Sequence, residues 1–380
     1  MMDKSKFTFG NISLGARARE LLTQSIEAGW ISAGPHVKAF EKAYAETFGT
    51  QEAVAVSSGT TAGFVSIATL HDFGGTWGDE VIVPALCFVA AANCVTAAGF
   101  KPVFVDIDRR TLNIDPAKIE AAITPRTRAI NVVHTMGKPV DMDPILEIAK
   151  KHNLMVFEDA CEAHGAQYKG RYVGTMGDAG AFSFYAAHII CSGEGGMVTT
   201  NRPEVAQILR SVRSHGRPDG TLFFQFDRFG FNCKMNDLEA AVGLEGIENF
   251  WSIFNKRKAN LNYLLKHTAD LSNLFYFTSE GPDEVVSAHA FQMTLKEEVP
   301  LDFWDFYRHL ESQGIQTKLN FGSLPTQHKV FSHLGYKLGD FPEAEYVGQK
   351  GLHVGCHQYL EQEHLDYLIE VVHQYVRQRL

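Results

Sequence analysis

The stretch from Asp178 to Gly196, D-A-G-A-F-S-F-Y-A-A-H-I-I-C-S-G-E-G-G, decides how the rest of this 380-residue chain is read. Residues 181–185 read as a strand, which breaks into a loop carrying His188. The loop closes on Gly193, Glu194, Gly195 and Gly196, and a second short strand follows over 197–200. A polar side chain lifted off a strand end, backed by glycines that admit a close neighbour, is how α/β enzymes present a reactive group. A plain corner whose glycines serve the turn alone has the same spacing.

The upstream segments bear on the choice. Helices are predicted over 16–28 and 36–48, then a strand over 53–56 that stops at Ser57, Ser58, Gly59, Thr60 and Thr61 before an apolar helix opens near Ala62. Backbone N–H groups at such a helix start suit a phosphate, and a serine N-cap is the other reading. Strands over 80–84, 102–106, 129–134 and 154–158 follow, and helices such as 144–152 are expected between them and before the 181–185 strand. This alternation predicts a mostly parallel, doubly wound sheet with its ligand crevice outside the carboxyl ends of the strands. Ser58, Gly59, Thr60, Phe88, Asp159 and His188 all fall just past predicted strand ends, which argues for one shared site. From about residue 273 the pattern changes to a different mixture of short strands and helices, ending in an amphipathic helix over 362–380. The expected division is a large domain over 16–250 and a small one over 251–380, which residues 1–15 join.

Composition excludes several classes. Lysine plus arginine (35) falls short of aspartate plus glutamate (44), and no basic run stands out, which argues against nucleic acid or an anionic membrane as the main partner. No apolar run has transmembrane length and the first residues lead into no signal-type core, so a cytoplasmic protein is expected. The six cysteines are scattered without a C-x-x-C pair, a spacing unsuited to zinc or an iron–sulfur cluster, and no metal is expected.

The quoted stretch and these strand-end residues resemble the signature of the sugar-nucleotide aminotransferases of the aspartate-aminotransferase fold (fold type I). The resemblance is strong over roughly 16–243 and looser to the end. It implies a three-layer α/β/α large domain with a mostly parallel mixed sheet, plus a smaller α+β C-terminal domain. It also implies roles. Asp159, in Phe157-Glu158-Asp159-Ala160, would keep the ring nitrogen of pyridoxal phosphate protonated, with Glu162 near the ring hydroxyl and Phe88 stacked on the ring. Ser58, Gly59, Thr60 and Ser183 would hold the phosphate. Asn232 would reach it from the neighbouring subunit of a homodimer with shared active sites, and His215 would lie near the sugar. Lys234 stands where the family usually has arginine, which leaves that contact open. On the residues alone, Asp159 also reads as a helix N-cap and Phe88 as a core side chain.

His188 occupies the position of the family's cofactor-anchoring lysine. In this it resembles the histidine-bearing 3-dehydratase branch that acts on GDP-4-keto-6-deoxy-mannose in colitose synthesis. The resemblance implies pyridoxamine phosphate or pyridoxal phosphate held without a covalent bond, glutamate to regenerate the amine form, and loss of the C3 hydroxyl of a 4-keto-6-deoxy nucleotide sugar. Imidazole moves protons near neutral pH, which suits His188 as the acid/base. The scattered cysteines favour this route over the iron–sulfur-dependent one. Two rival readings are a sugar-nucleotide 4-aminotransferase whose lysine has been replaced, and a non-catalytic relative.

Overall fold

β1 (Glu52–Val56), β2 (Glu80–Pro84), β3 (Lys101–Val105), β4 (Thr127–Val133) and β5 (Met155–Asp159) are rich in Val, Ile and Ala, as strands covered on both faces are. In the computed structural model, which describes residues 6–218 and 224–380, the chain then forms a small hairpin of β6 (Gln167–Tyr168) and β7 (Arg171–Tyr172). It returns to the main sheet with β8 (Ala179–Ser183) and β9 (Gly196–Thr200). The seven-stranded order is β1-β9-β8-β5-β4-β2-β3, and only β9 runs against the others. The mostly parallel mixed sheet expected from the sequence is therefore present.

Side chains alternate across this sheet because successive residues of a strand point to opposite faces. Val54 and Val56 pack with Ala62, Val65 and Leu209 on one side, whereas Ala53 and Ala55 meet Phe40, Tyr44 and Ala240 on the other. The covering helices are α1 (Ala16–Glu27), α2 (Pro35–Phe48) and Asp237–Glu248 on the second face, with α3 (Gly59–Ala68), α4 (Ala90–Ala97) and Pro203–Val212 on the first. Three layers result. None of the helices among the described residues is long and apolar enough to cross a membrane.

The remaining strands are β10 (Phe275–Phe277), β11 (Glu284–Val285), β12 (Ala290–Leu295), β13 (Thr317–Leu319) and β14 (Gly351–Gly355). Four of them form an antiparallel sheet of order β10-β12-β14-β13, while β11 pairs with β6 instead. Helices Phe303–Ser312 and Gln362–Arg379 pack on this second sheet, and Phe7 is buried in the same core. Helix Phe250–His267 serves both cores, giving Phe250 and Phe254 to the first and Leu261 and Leu264 to the second.

The structure departs from the sequence pattern between β5 and β8, where a helix was expected and turns plus the β6–β7 hairpin are found. Four glycines (Gly165, Gly170, Gly174 and Gly177) fall within this stretch, and each weakens a helix by about 1 kcal/mol relative to alanine. The turns are fastened by Glu158, which is fully buried. Its Oε1 accepts from the N–H groups of Met176 (2.7 Å) and Gly177 (2.6 Å), and its Oε2 from Gly174 (2.7 Å). His134 Nδ1 accepts from the Val140 N–H at 3.0 Å, so its Nε2–H is the donor to Glu158 Oε2 at 3.1 Å.

Glu158→Gln leaves an amide NH2 facing two N–H donors whichever way it is flipped. Denaturant unfolding should show a loss of about 2–4 kcal/mol; a change below about 1 kcal/mol would contradict this account.

Candidate active site

The carboxyl ends of β5 and β8, the start of α3 and the loop after β2 converge on a cavity of about 430 Å³. Ser58 caps α3 with a reciprocal pair of bonds: its Oγ accepts from the Thr61 N–H at 3.1 Å, and Thr61 Oγ1 accepts from the Ser58 N–H at 2.9 Å. The helix itself leaves the N–H groups of Gly59 and Thr60 unpaired, at the positive end of its dipole. A Cβ on Gly59 would lie 2.5 Å from Ser183 Cβ and 3.0 Å from Cys161 Sγ, so only glycine lets this turn sit against β8. The glycines after His188 do more than turn the chain. Gly195 has φ +143°, and a Cβ on Gly196 would meet the Ser58 carbonyl oxygen at 2.4 Å.

Asp159 is followed by turns and caps no helix, so the N-cap reading does not hold; its Oδ1 accepts from the Cys161 N–H at 3.1 Å. Burial holds its carboxyl above the usual range, with opposing effects from Cys161 and His134. Glu162 Oε2 accepts from the Met136 N–H at 2.7 Å, and its Oε1 lies 3.6 Å from His289 Nε2. Burial pushes Glu162 up to about 7. Phe88 is no core residue: its ring is 59% exposed and lines the cavity, edge-on to Phe321 at 6.0 Å.

His188 donates its backbone N–H to the Tyr185 carbonyl at 2.9 Å. Its ring lies 5.3 Å from that of His289 and 6.3 Å from that of His164. Nδ1 is buried without a partner, which leaves Nε2 to the cavity. Burial first, and then the charge of Arg257, push His188 down to about 3. Arg257 is itself buried, and its hydrogen bonds run only to backbone carbonyls: Ala288 (3.0 Å), His289 (3.0 Å) and Ala187 (3.3 Å).

Of the residues singled out in the sequence, Ser58, Gly59, Thr60, Phe88, Asp159, Glu162, Ser183 and His188 line this one cavity. His215 and Asn232 do not; they lie on an exposed strip where Ser214 bridges Asn232 and the His215 N–H donates to the Phe231 carbonyl at 3.0 Å. Sequence reasoning missed Phe9 of the N-terminal segment, and His289, Lys318, Phe321 and His353 of the second sheet and its connections, all lining residues. The local signal is a polar residue bordering an apolar run, as at His289 before β12, and it is shared by many surface positions. Lys169 stays outside, ion-paired with Asp143 at 2.7 Å on the β6–β7 turn. No cluster of three or more metal-ligating side chains occurs among the described residues.

These features fit a phosphorylated pyridine cofactor. The cradle that a Cβ on Gly59 would fill suits a phosphate, the exposed Phe88 ring offers a stacking face, and Asp159 is a partly enclosed carboxyl with no lysine or arginine paired to it. Comparison with known proteins agrees. Residues 13–373 match the DegT/DnrJ/EryC1/StrS aminotransferase family. A GDP-perosamine synthase of Caulobacter vibrioides is 36% identical over 378 residues, covering 98% of this chain and 99% of its own. The dTDP-4-dehydro-2,6-dideoxy-D-glucose 3-dehydratase of Saccharopolyspora spinosa is 34% identical, over 91% of this chain and 81% of its own. Among solved structures, the E coli GDP-4-keto-6-deoxy-D-mannose-3-dehydratase with bound hydrated PLP superposes with a TM-score of 0.89 at 28% identity, covering 97% of this chain and 99% of that one.

The raised Glu162 carboxyl has a consequence for the cofactor-free protein. Because its folded pKa (about 7) exceeds its unfolded one, its stabilising protonation is complete below about pH 4.5 and is lost as pH rises through 7. Glu162→Gln should therefore melt above wild type at pH 8.5 by an amount on the order of 2–3 kcal/mol, with the gap closing toward pH 5. A gap that is the same at both pH values would refute the assignment.

Proposed function

The chain belongs to the DegT/DnrJ/EryC1/StrS aminotransferase family, and on that premise we propose that it is a 3-dehydratase that removes the C3 hydroxyl of a 4-keto-6-deoxy nucleotide sugar, GDP-4-keto-6-deoxy-mannose. The observation that carries this reading is His188: where the family has its cofactor-anchoring lysine, an imidazole lines the cavity together with the Gly59 turn and the Asp159 carboxyl. When bound, pyridoxamine phosphate supplies an amine to engage the substrate ketone and a ring able to take up an electron pair. The first turn of α3 and Ser183 would hold its phosphate, Asp159 would keep its ring nitrogen protonated, and Phe88 would support one ring face. His188, neutral at physiological pH, accepts a proton at Nε2 and returns it to the departing C3 oxygen. Glu162, held by the Met136 N–H, would serve the ring hydroxyl. Glutamate would be the amine donor of this reading.

A homodimer belongs to the same reading. Asn232 and His215 lie outside this chain's own cavity on a strip that also exposes Phe226, Phe229 and Phe231, which suits a segment reaching into a partner's site. A second reading, 4-amination, is favoured by the likeness to a GDP-perosamine synthase, and Lys318 places an amine in the same cavity.

Incubation with GDP-4-keto-6-deoxy-mannose, glutamate and cofactor should give a product lacking one oxygen, detected by mass spectrometry; exchange of the keto oxygen for an amine would establish the second reading instead. His188→Asn should lower the rate of oxygen loss by about 100-fold or more. Borohydride reduction of the pyridoxal-phosphate-loaded protein should leave the chain mass unchanged, and a cofactor adduct mapped to Lys318 would defeat non-covalent binding.

A further inference from the structure

His188 has two neighbours of its own kind. His289 stands on the cavity side, where both rings line the wall. His164 is only 1% exposed and is not among the residues lining the cavity, yet its ring centre is 6.3 Å from that of His188. It comes from the turn that carries Glu162. Gly165, next in the chain, has φ +75°, and a Cβ there would lie 2.5 Å from Phe250 Cζ, so glycine fixes this turn. His164 is thereby set among the rings of Tyr44, Phe182 and Phe184, behind the loop that presents His188.

Hydrogen bonding behind that loop leaves three atoms over. His188 Nδ1, His164 Nε2 and the Tyr44 hydroxyl are all buried without a partner among the described residues. They belong to one patch, because the Tyr44 ring adjoins that of His164 (6.3 Å between centres) and His164 adjoins His188. Leaving one such atom unpaired costs about 1–3 kcal/mol. Arg257 cannot relieve His188 Nδ1 as an acceptor, since a guanidinium only donates and its donors are engaged with backbone carbonyls. The 6.3 Å ring spacing is too long for a direct bond between the imidazoles. It lies within the span of one water bonded at about 2.8–3.0 Å on each side, and a water there would find the polar partners that buried waters require.

A neutral imidazole carries its proton on one nitrogen, and the bond made by the other side of the ring decides which. Burial first, and then the charges of His188 and Arg257, hold His164 well below its ordinary value, so it is neutral and has a lone pair to offer. An acceptor behind the loop places the His188 proton on Nδ1 and leaves the Nε2 lone pair to the cavity. We propose that His164 is a positioning residue of this enzyme: through one bound water its Nε2 accepts the bond from His188 Nδ1–H, and so keeps His188 Nε2 as the proton acceptor. This inference rests on the reading of His188 as the acid/base given above, and it adds a residue that the cavity lining does not include.

The test reads the tautomer itself, by nitrogen NMR of the full-length protein carrying isotopically labelled histidine, with and without cofactor. The His188 signals are those that vanish in His188→Asn. Wild type should show His188 protonated at Nδ1 and bare at Nε2. His164→Leu removes the acceptor and should lose that preference, whereas His164→Gln, whose amide oxygen accepts, should keep it; circular dichroism checks that both are folded. In the cofactor-loaded enzyme, His164→Leu should lower kcat for oxygen loss about tenfold or more with KM within about twofold, as for a base held in the wrong tautomer. His164→Gln should retain at least about a third of the wild-type kcat. A wild-type His188 protonated at Nε2 would overturn the proposal with no variant needed, which covers a His164→Leu protein that does not fold. An unchanged Nδ1 tautomer in folded His164→Leu would overturn it too, as would a His164→Gln protein as impaired as His164→Leu, because His164 would then serve packing alone. The tautomer is read without substrate, so a failure of the dehydratase reading and a failure of this one give different results.

Discussion

Burying a guanidinium with no carboxylate to meet it is unfavourable unless its donors are satisfied. Arg257, halfway along helix Phe250–His267, satisfies them on the carbonyl oxygens of Ala187, Ala288 and His289. Ala187 immediately precedes His188, and Ala288 and His289 lead into β12. One side chain thus ties the loop bearing the central imidazole to the segment leading into β12, an inner strand of the second sheet. The tie adds to the loop's own backbone bonds, His188 N–H to the Tyr185 carbonyl and Ser192 N–H to the Phe184 carbonyl.

The same guanidinium helps set the protonation of what it positions. Its charge adds to burial in lowering His188 and His289, so both imidazoles stay in the form that can accept a proton. Burial acts in the opposite sense on the carboxyl groups, raising Asp159 and carrying Glu162 to about 7. The cavity thus holds bases kept uncharged beside an acid that remains partly protonated at neutral pH. Pairs of groups pushed apart in this way are the usual arrangement where protons change hands.

Much of this was legible in the order of residues. The βα alternation produced the parallel sheet, and the coincidence of polar residues with strand ends placed Ser58, Asp159 and His188 together, because parallel strands deliver all their carboxyl ends to one edge. Phe88 and Asp159 each had a second local reading that only exposure and the following backbone could remove. The helix expected between β5 and β8 yields to glycines and to the three N–H groups collected by Glu158. His289, Lys318 and His353 were invisible for a different reason. They reach the site through the register of β12, β14 and β13, and pairings between segments so distant in sequence leave no periodic trace in any one of them.

The helix that carries Arg257 is rooted at one end among Phe250 and Phe254 and at the other among Leu261 and Leu264. A rigid rod fixed in two hydrophobic cores gives the lobes no free axis to swing about, since bending would have to occur near the rod's middle, where the buried guanidinium makes its bonds.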